Sequence, residues 1–97
     1  MGRSYFVYLM ASRKYGAIYV GVTGDLVGRA YLHREDVVRG HTSRYHIHNL
    51  VWFEQHDDPS AAIRREKQIK KWLRAWKIEL IEKTNPDWLD LYPEIVS

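Results

Sequence analysis

The chain has no cysteine in its 97 residues. That absence excludes disulfides, zinc–cysteine sites, iron–sulfur clusters and thiol nucleophiles together. It also lacks any apolar run near the ~18 residues that a membrane span needs. The N-terminus, "MGRSYFVYLM", passes straight into a strand-like alternation with no signal-peptide pattern. A soluble, cytoplasmic protein with no membrane contact is therefore expected. No internal repeat, linker or low-complexity segment interrupts the chain, and 45% of its residues are hydrophobic. One domain spanning residues 1–97, with a single core, is the expectation.

The net charge of +3 is unevenly spread. Residues 61–77 hold Arg64, Arg65, Lys67, Lys70, Lys71, Arg74 and Lys77 against one acid, Glu66, and an acidic tail follows. A basic stretch of this kind suits a polyanion at one face, or else a solvated lysine-rich helix.

The segments "SYFVYLM" (4–10) and "AIYVGV" (17–22) are rich in aromatic and β-branched residues and flank the turn-like "SRKYG". They read as a β-hairpin. A simple register pairs Tyr8 with Tyr19 and puts Phe6, Tyr8, Met10, Ala17, Tyr19 and Gly21 on one face. Thr23, Gly24 and Asp25 offer capping chemistry for a helix over 26–38. Its apolar stripe is Leu26, Ala30 and Val37, and Arg29 and His33 fall in or beside that stripe. "LVWFEQ" (50–55) is a third strand, and "DDPS" (57–60) opens a second helix. That helix aligns Ala62, Ile69, Leu73, Trp76 and Leu80 if unbroken, with Glu66 close to the centre of the stripe. A break is expected within 72–78, then a loop at Asn85 and Pro86, and a short helical turn carrying Trp88 and Leu91. The fold class is α/β (α+β): a small, largely antiparallel three-stranded sheet flanked by helices.

Two phenols on one sheet face, an arginine and a histidine on one helix face, and a glutamate on another are not what a core requires. Buried charges must pair or line a wet cleft. An Arg29–Glu66 ion pair is the structural explanation. Phosphodiester cleavage is the chemical one: a base deprotonates water, and a cation and a metal ion stabilise charge on the phosphoryl oxygens. One inward carboxylate suits one metal ion rather than two.

The ordered set "FVYLM", "YVG", "DLVGRAYLH" and the glutamate of "IRREKQIK" resembles the GIY-YIG endonuclease family, in particular its small stand-alone members. The resemblance runs from Tyr5 to about Leu91. It implies the GIY-YIG nuclease fold and a Mg²⁺-dependent (or Mn²⁺-dependent) one-metal hydrolysis of DNA, in a setting such as repair or recombination. By the resemblance Tyr8 stands in the first triplet, here read with Phe6 in place of glycine, and Tyr19 and Gly21 stand in the second. Arg29 is the family's arginine, His33 supports it, Glu66 holds the metal, and Asn85 matches an asparagine late in some members. Tyr8 is the candidate general base, although only about one phenol in a thousand is ionised at neutral pH. A cleavage rate climbing from about pH 7 to about pH 9 is the corresponding expectation.

Lys67, Lys70, Lys71, Arg74 and Arg44 are candidate nucleic-acid contacts, with Lys77 beside them and Tyr45 and Thr42 in the 40–49 connector. Gly21 keeps the backbone low so that a phosphate can come near. His41, His46 and His48 invite a metal reading, but no carboxylate at good spacing completes it. Trp72, Trp76 and Trp88 read as core more readily than as base-stacking platforms. The alternative function is a nucleic-acid-binding module on the same fold with little or no catalytic activity. A monomer or weak homodimer that binds DNA is expected.

Overall fold

The structure, a computed structural model, describes residues 4–35 and 45–97. Tyr5–Ala11 (β1) and Ile18–Thr23 (β2) form the hairpin, and Asn49–His56 (β3) pairs with the other side of β1. The result is an antiparallel sheet of order β2-β1-β3 with helices on both faces, the α+β architecture expected from the sequence. Backbone bonds from Ser12 N to Ala17 O (3.0 Å) and Gly16 N to Arg13 O (2.8 Å) close the hairpin loop.

The hairpin register differs from the simple one. Tyr8 stands opposite Gly21, and Tyr19 opposite Met10. A two-residue shift leaves both tyrosines on one face, because side chains alternate with period two. The shift has a steric cause: the Tyr8 ring lies over Gly21, where any Cβ would collide with its hydroxyl end. What Gly21 admits close to the backbone is thus a phenol of this chain. Gly21→Ala is expected to lose about 1–3 kcal/mol of stability by overpacking. Urea denaturation checks this, and an unchanged midpoint would show that the ring moves aside freely.

β3 carries a bulge: Leu9 faces Trp52, but Met10 faces Leu50, so Val51 is the extra residue. The bulge explains the continuous apolar run, since Val51 and Trp52 enter one core while Leu50 and Phe53 enter the other. The first core joins Val7, Leu9, Ala11 and Val20 to Ala62, Ile69, Ile81 and Trp88. The second joins Tyr8 and Met10 to Leu26, Ile47 and Leu50, with Tyr19, Leu91 and Ile95 packed against it.

Helix α1 is Leu26–Arg34, capped by Asp25, whose side chain accepts from Gly28 N at 3.0 Å. The expected continuation to residue 38, including Val37, lies outside the described residues beyond Glu35. Helix α2 is Pro59–Lys70, capped by Asp58 with proline in its first turn as expected. The expected break falls at residues 71–73, where Leu73 is extended (φ −61°, ψ 150°) before α3, Arg74–Thr84. The break ends the common stripe, so Leu73 and Trp76 are exposed rather than core. Trp72 is half-buried beneath the Arg65 guanidinium, 5.3 Å from its ring centroid, and Trp88 is core. The last helix, α4, is Tyr92–Val96, later than the turn expected around Trp88, which instead has φ 56°. No helix among the described residues is long and apolar enough to cross a membrane.

Candidate active site

Strand parity and the α1 cap bring Tyr8, Tyr19 and His33 together. Their ring centroids lie 6.2 Å (Tyr8–Tyr19), 5.9 Å (Tyr8–His33) and 5.2 Å (Tyr19–His33) apart. The Tyr8 hydroxyl and His33 Nε2 are hydrogen-bonded at 3.2 Å, and both side chains are 2% exposed. With the imidazole proton on Nδ1, the phenol donates to Nε2. His33 Nδ1 is buried and has no partner among the described residues.

Burial raises the Tyr8 pKa above its ordinary value, helped by Tyr19 and Glu66 and opposed by Arg29. Burial, then the Arg29 charge, lowers that of His33. At neutral pH the pair is therefore a neutral phenol on a neutral imidazole. These shifts predict how stability depends on pH. Below about pH 6.5 the unfolded chain binds the His33 proton first, so stability is lost as pH falls toward the depressed folded value. Above about pH 10 the unfolded chain releases the Tyr8 proton first, so stability is lost as pH rises. Denaturant midpoints followed across pH should fall at both ends, and Tyr8→Phe should flatten the alkaline limb.

Arg29 does not face inward as expected. Its side chain is exposed, and it makes no ion pair with Glu66. Its charge still acts on both Tyr8 and His33, and with its side chain exposed and one helical turn before His33 it stands at the solvent side of the cluster. The reason is helical phase: Leu26, Ala30 and His33 are the buried positions of α1, and Arg29 lies beside that line. The helix is held in place at its far end, where Arg34 is paired with Asp90 and stacks on Tyr92 at 4.6 Å.

Glu66 is inward as expected, 7% exposed on the sheet-facing side of α2 between Ala62 and Ile69. Its partner is Lys70, whose Nζ lies 2.7 Å from Oε2. That hydrogen bond raises the Lys70 pKa and keeps it charged. The i, i+4 spacing is visible in the sequence, and it is the signal that could have revealed the pair. Two candidate DNA contacts are thus already engaged: Lys70 with Glu66, and Arg74 with the hairpin carbonyls of Tyr15 (2.7 Å) and Gly16 (2.6 Å). Lys67 and Lys71 are exposed, as is Tyr45, while Arg44 lies outside the described residues.

Asn85 does not join the cluster. It is buried, its Nδ2 donates to Val51 O (3.0 Å) and Leu89 O (2.8 Å), and its Oδ1 accepts from Leu89 N (3.0 Å). A side chain so fully used by backbone secures the end of α3 and the Trp88 loop. His46 and His48 approach each other with centroids 5.8 Å apart, and His41 lies outside the described residues. Among the described residues no three His, Asp or Glu side chains gather as a metal cluster. A groove of about 450 Å³ lined by Arg65, Trp72, Trp76, Glu79, Leu80 and Lys83 shares no residue with the tyrosine cluster.

The donor set suits Mg²⁺ better than zinc. Glu66 offers a hard carboxylate oxygen fixed in a wall, and Mg²⁺ is commonly held by one or two carboxylates, completing its shell with water and substrate phosphate.

Comparison with known proteins shows what the chain is similar to. UPF0213 proteins of Staphylococcus aureus strains Mu50 and N315 are each 30% identical to it over 80 residues, covering 82% of this chain and 96% of theirs. The solution NMR structure of a UPF0213 protein from Bacillus halodurans superposes with a TM-score of 0.56 at 23% identity, covering 90% of this chain and 92% of that one, and shares its fold. The family model of the GIY-YIG catalytic domain matches residues 4–79, a span that contains Tyr8, Tyr19, Arg29, His33 and Glu66 and ends before Asn85. The chain belongs to the GIY-YIG family, a family of nuclease-type hydrolases.

Proposed function

We propose that this chain is a Mg²⁺-dependent endonuclease that hydrolyses DNA phosphodiester bonds with a single metal ion. One observation carries the reading: a buried phenol hydrogen-bonded to a neutral imidazole, with an arginine and a carboxylate both acting electrostatically on that phenol. A core has no use for this combination, and phosphodiester hydrolysis uses every part of it. Glu66 would hold the ion, which when bound would supply Lewis-acid stabilisation of the phosphoryl charge.

Arg29, at the solvent edge, offers a planar fork to the non-bridging oxygens. Tyr8 accepts the proton of the attacking water as its own proton passes to His33 Nε2 along the 3.2 Å hydrogen bond. Burial and then the Arg29 charge hold the His33 pKa down; the negative phosphate offsets the second of these, so the imidazole gains some basicity when substrate is bound. Tyr19, packed on both rings, positions the water and keeps the pair aligned. Lys67 and Lys71 contact flanking phosphates. Such contacts carry no sequence information, which suits repair or recombination, where the shape of the DNA marks the substrate.

The competing reading, a binding module with little or no activity, draws on Glu66 already holding a cation in Lys70. Incubating the purified chain with supercoiled plasmid separates the two. Nicked or linear product with Mg²⁺ and none with EDTA is expected. Binding without nicking in Mg²⁺ or Mn²⁺ would favour the module.

A further inference from the structure

Glu66 and Lys70 are unequal partners. The Glu66 side chain is 10% exposed and that of Lys70 53%. The carboxylate is built into the wall and cannot seek another cation. The ammonium reaches it from solvent on a flexible stem and can leave along the same path. A second paired carboxylate, Glu54, is a useful contrast. Glu54 is held by Arg65 Nε at 3.1 Å and by His56 Nε2 at 2.6 Å, two groups themselves largely covered, which makes it a fixed strut.

From this asymmetry, and resting on Glu66 as the metal ligand, we infer that Lys70 is a built-in competitor of the divalent ion that couples metal loading to substrate binding. Without DNA, Lys70 neutralises the buried carboxylate and spares it the cost of an unpaired charge. A divalent ion at Oε2 would share the 2.7 Å contact distance with a like charge, so one cation must withdraw. A phosphodiester in the site supplies the acceptor to which Lys70 moves. Lys70 is a positioning residue, and its charge sets the order in which ion and substrate bind.

Mn²⁺ binding to the full chain, measured by calorimetry and by the electron paramagnetic resonance of free Mn²⁺, tests this without reference to cleavage. In the absence of DNA, Lys70→Met is expected to bind Mn²⁺ roughly tenfold more tightly than wild type, a modest effect for removing a unit charge a few ångströms away. Lys70→Arg, which keeps the charge, should restore the weak wild-type affinity. A nuclease-resistant phosphorothioate duplex should tighten Mn²⁺ binding to wild type by roughly the same factor and to Lys70→Met far less. Equal or weaker Mn²⁺ binding by Lys70→Met, in protein whose circular dichroism shows it folded, overturns the inference. Glu66→Gln distinguishes the two levels: if it abolishes Mn²⁺ binding while Lys70→Met does not tighten it, only the role of Lys70 falls. If it binds as well as wild type, Glu66 is not the ligand and the one-metal reading falls too.

Discussion

Glu66→Gln is expected to bind DNA as wild type does and to lose cleavage by about three orders of magnitude or more at any Mg²⁺ concentration. The amide keeps the shape of the carboxylate and removes its charge. Among the described residues no carboxylate but Glu66 acts on the Tyr8 charge, and Glu54 is engaged by Arg65 and His56 and Asp90 by Arg34 and the Leu50 amide. Stability should change little, because Lys70 is exposed enough to return to water. Plasmid nicking across a Mg²⁺ titration, with fluorescence anisotropy on a labelled duplex, makes the measurement. Cleavage within tenfold of wild type would remove Glu66 from the chemistry.

Tyr8→Phe should lower the cleavage rate by about 10²- to 10⁴-fold, the usual range for removing a general base. It should also cost about 1–3 kcal/mol of stability, because it leaves the buried His33 Nε2 without its hydrogen bond. The pH profile of the wild-type rate carries the mechanistic detail. With His33 as the proton's destination, the rate rises as pH climbs through the depressed imidazole pKa, below about 6.5, and is then level from about pH 7 to about pH 9. The sequence alone suggested a climb across that alkaline range, the signature of a free phenolate. A log-linear rise there, together with an active His33→Ala variant, would restore that simpler picture and take His33 out of the proton path.

The two variants also differ in what surrounds the altered side chain. Glu66 sits on α2 among residues of the first core, and Tyr8 belongs to the second. Loss of activity with an intact melting transition in Glu66→Gln, but with a lowered one in Tyr8→Phe, is the pattern these surroundings predict.

Much of this was legible before any coordinates. Period-two alternation placed Tyr8 and Tyr19 on one face even though the hairpin register was off by two residues, because parity survives an even shift. Capping residues located the starts of α1 and α2, since Asp25 and Asp58 bond amides within three residues of themselves. The inward position of Glu66 followed from helical phase alone.

Other features depended on contacts between residues far apart in the chain. Arg29 and His33 share a helix face in projection, yet only His33 is buried, packed against Tyr8 and Tyr19 of the sheet. Asn85 looked like a site residue by position and is a backbone clamp, because its partners include Val51, 34 residues away. Gly21 looked like a gap for a phosphate and is a gap for Tyr8.

By itself the sequence determined what is periodic or local: the elements and their ends, the two faces of the hairpin, the buried carboxylate, and the set of chemical groups that marks the family. Only the tertiary structure decided which groups meet: Tyr8 on His33, Lys70 on Glu66, Arg29 at the solvent side and Asn85 in the scaffold. The reason is physical. Propensity and phase act over a few residues, whereas hydrogen bonding, desolvation and charge pairing at the site depend on which distant segments packing brings within a few ångströms.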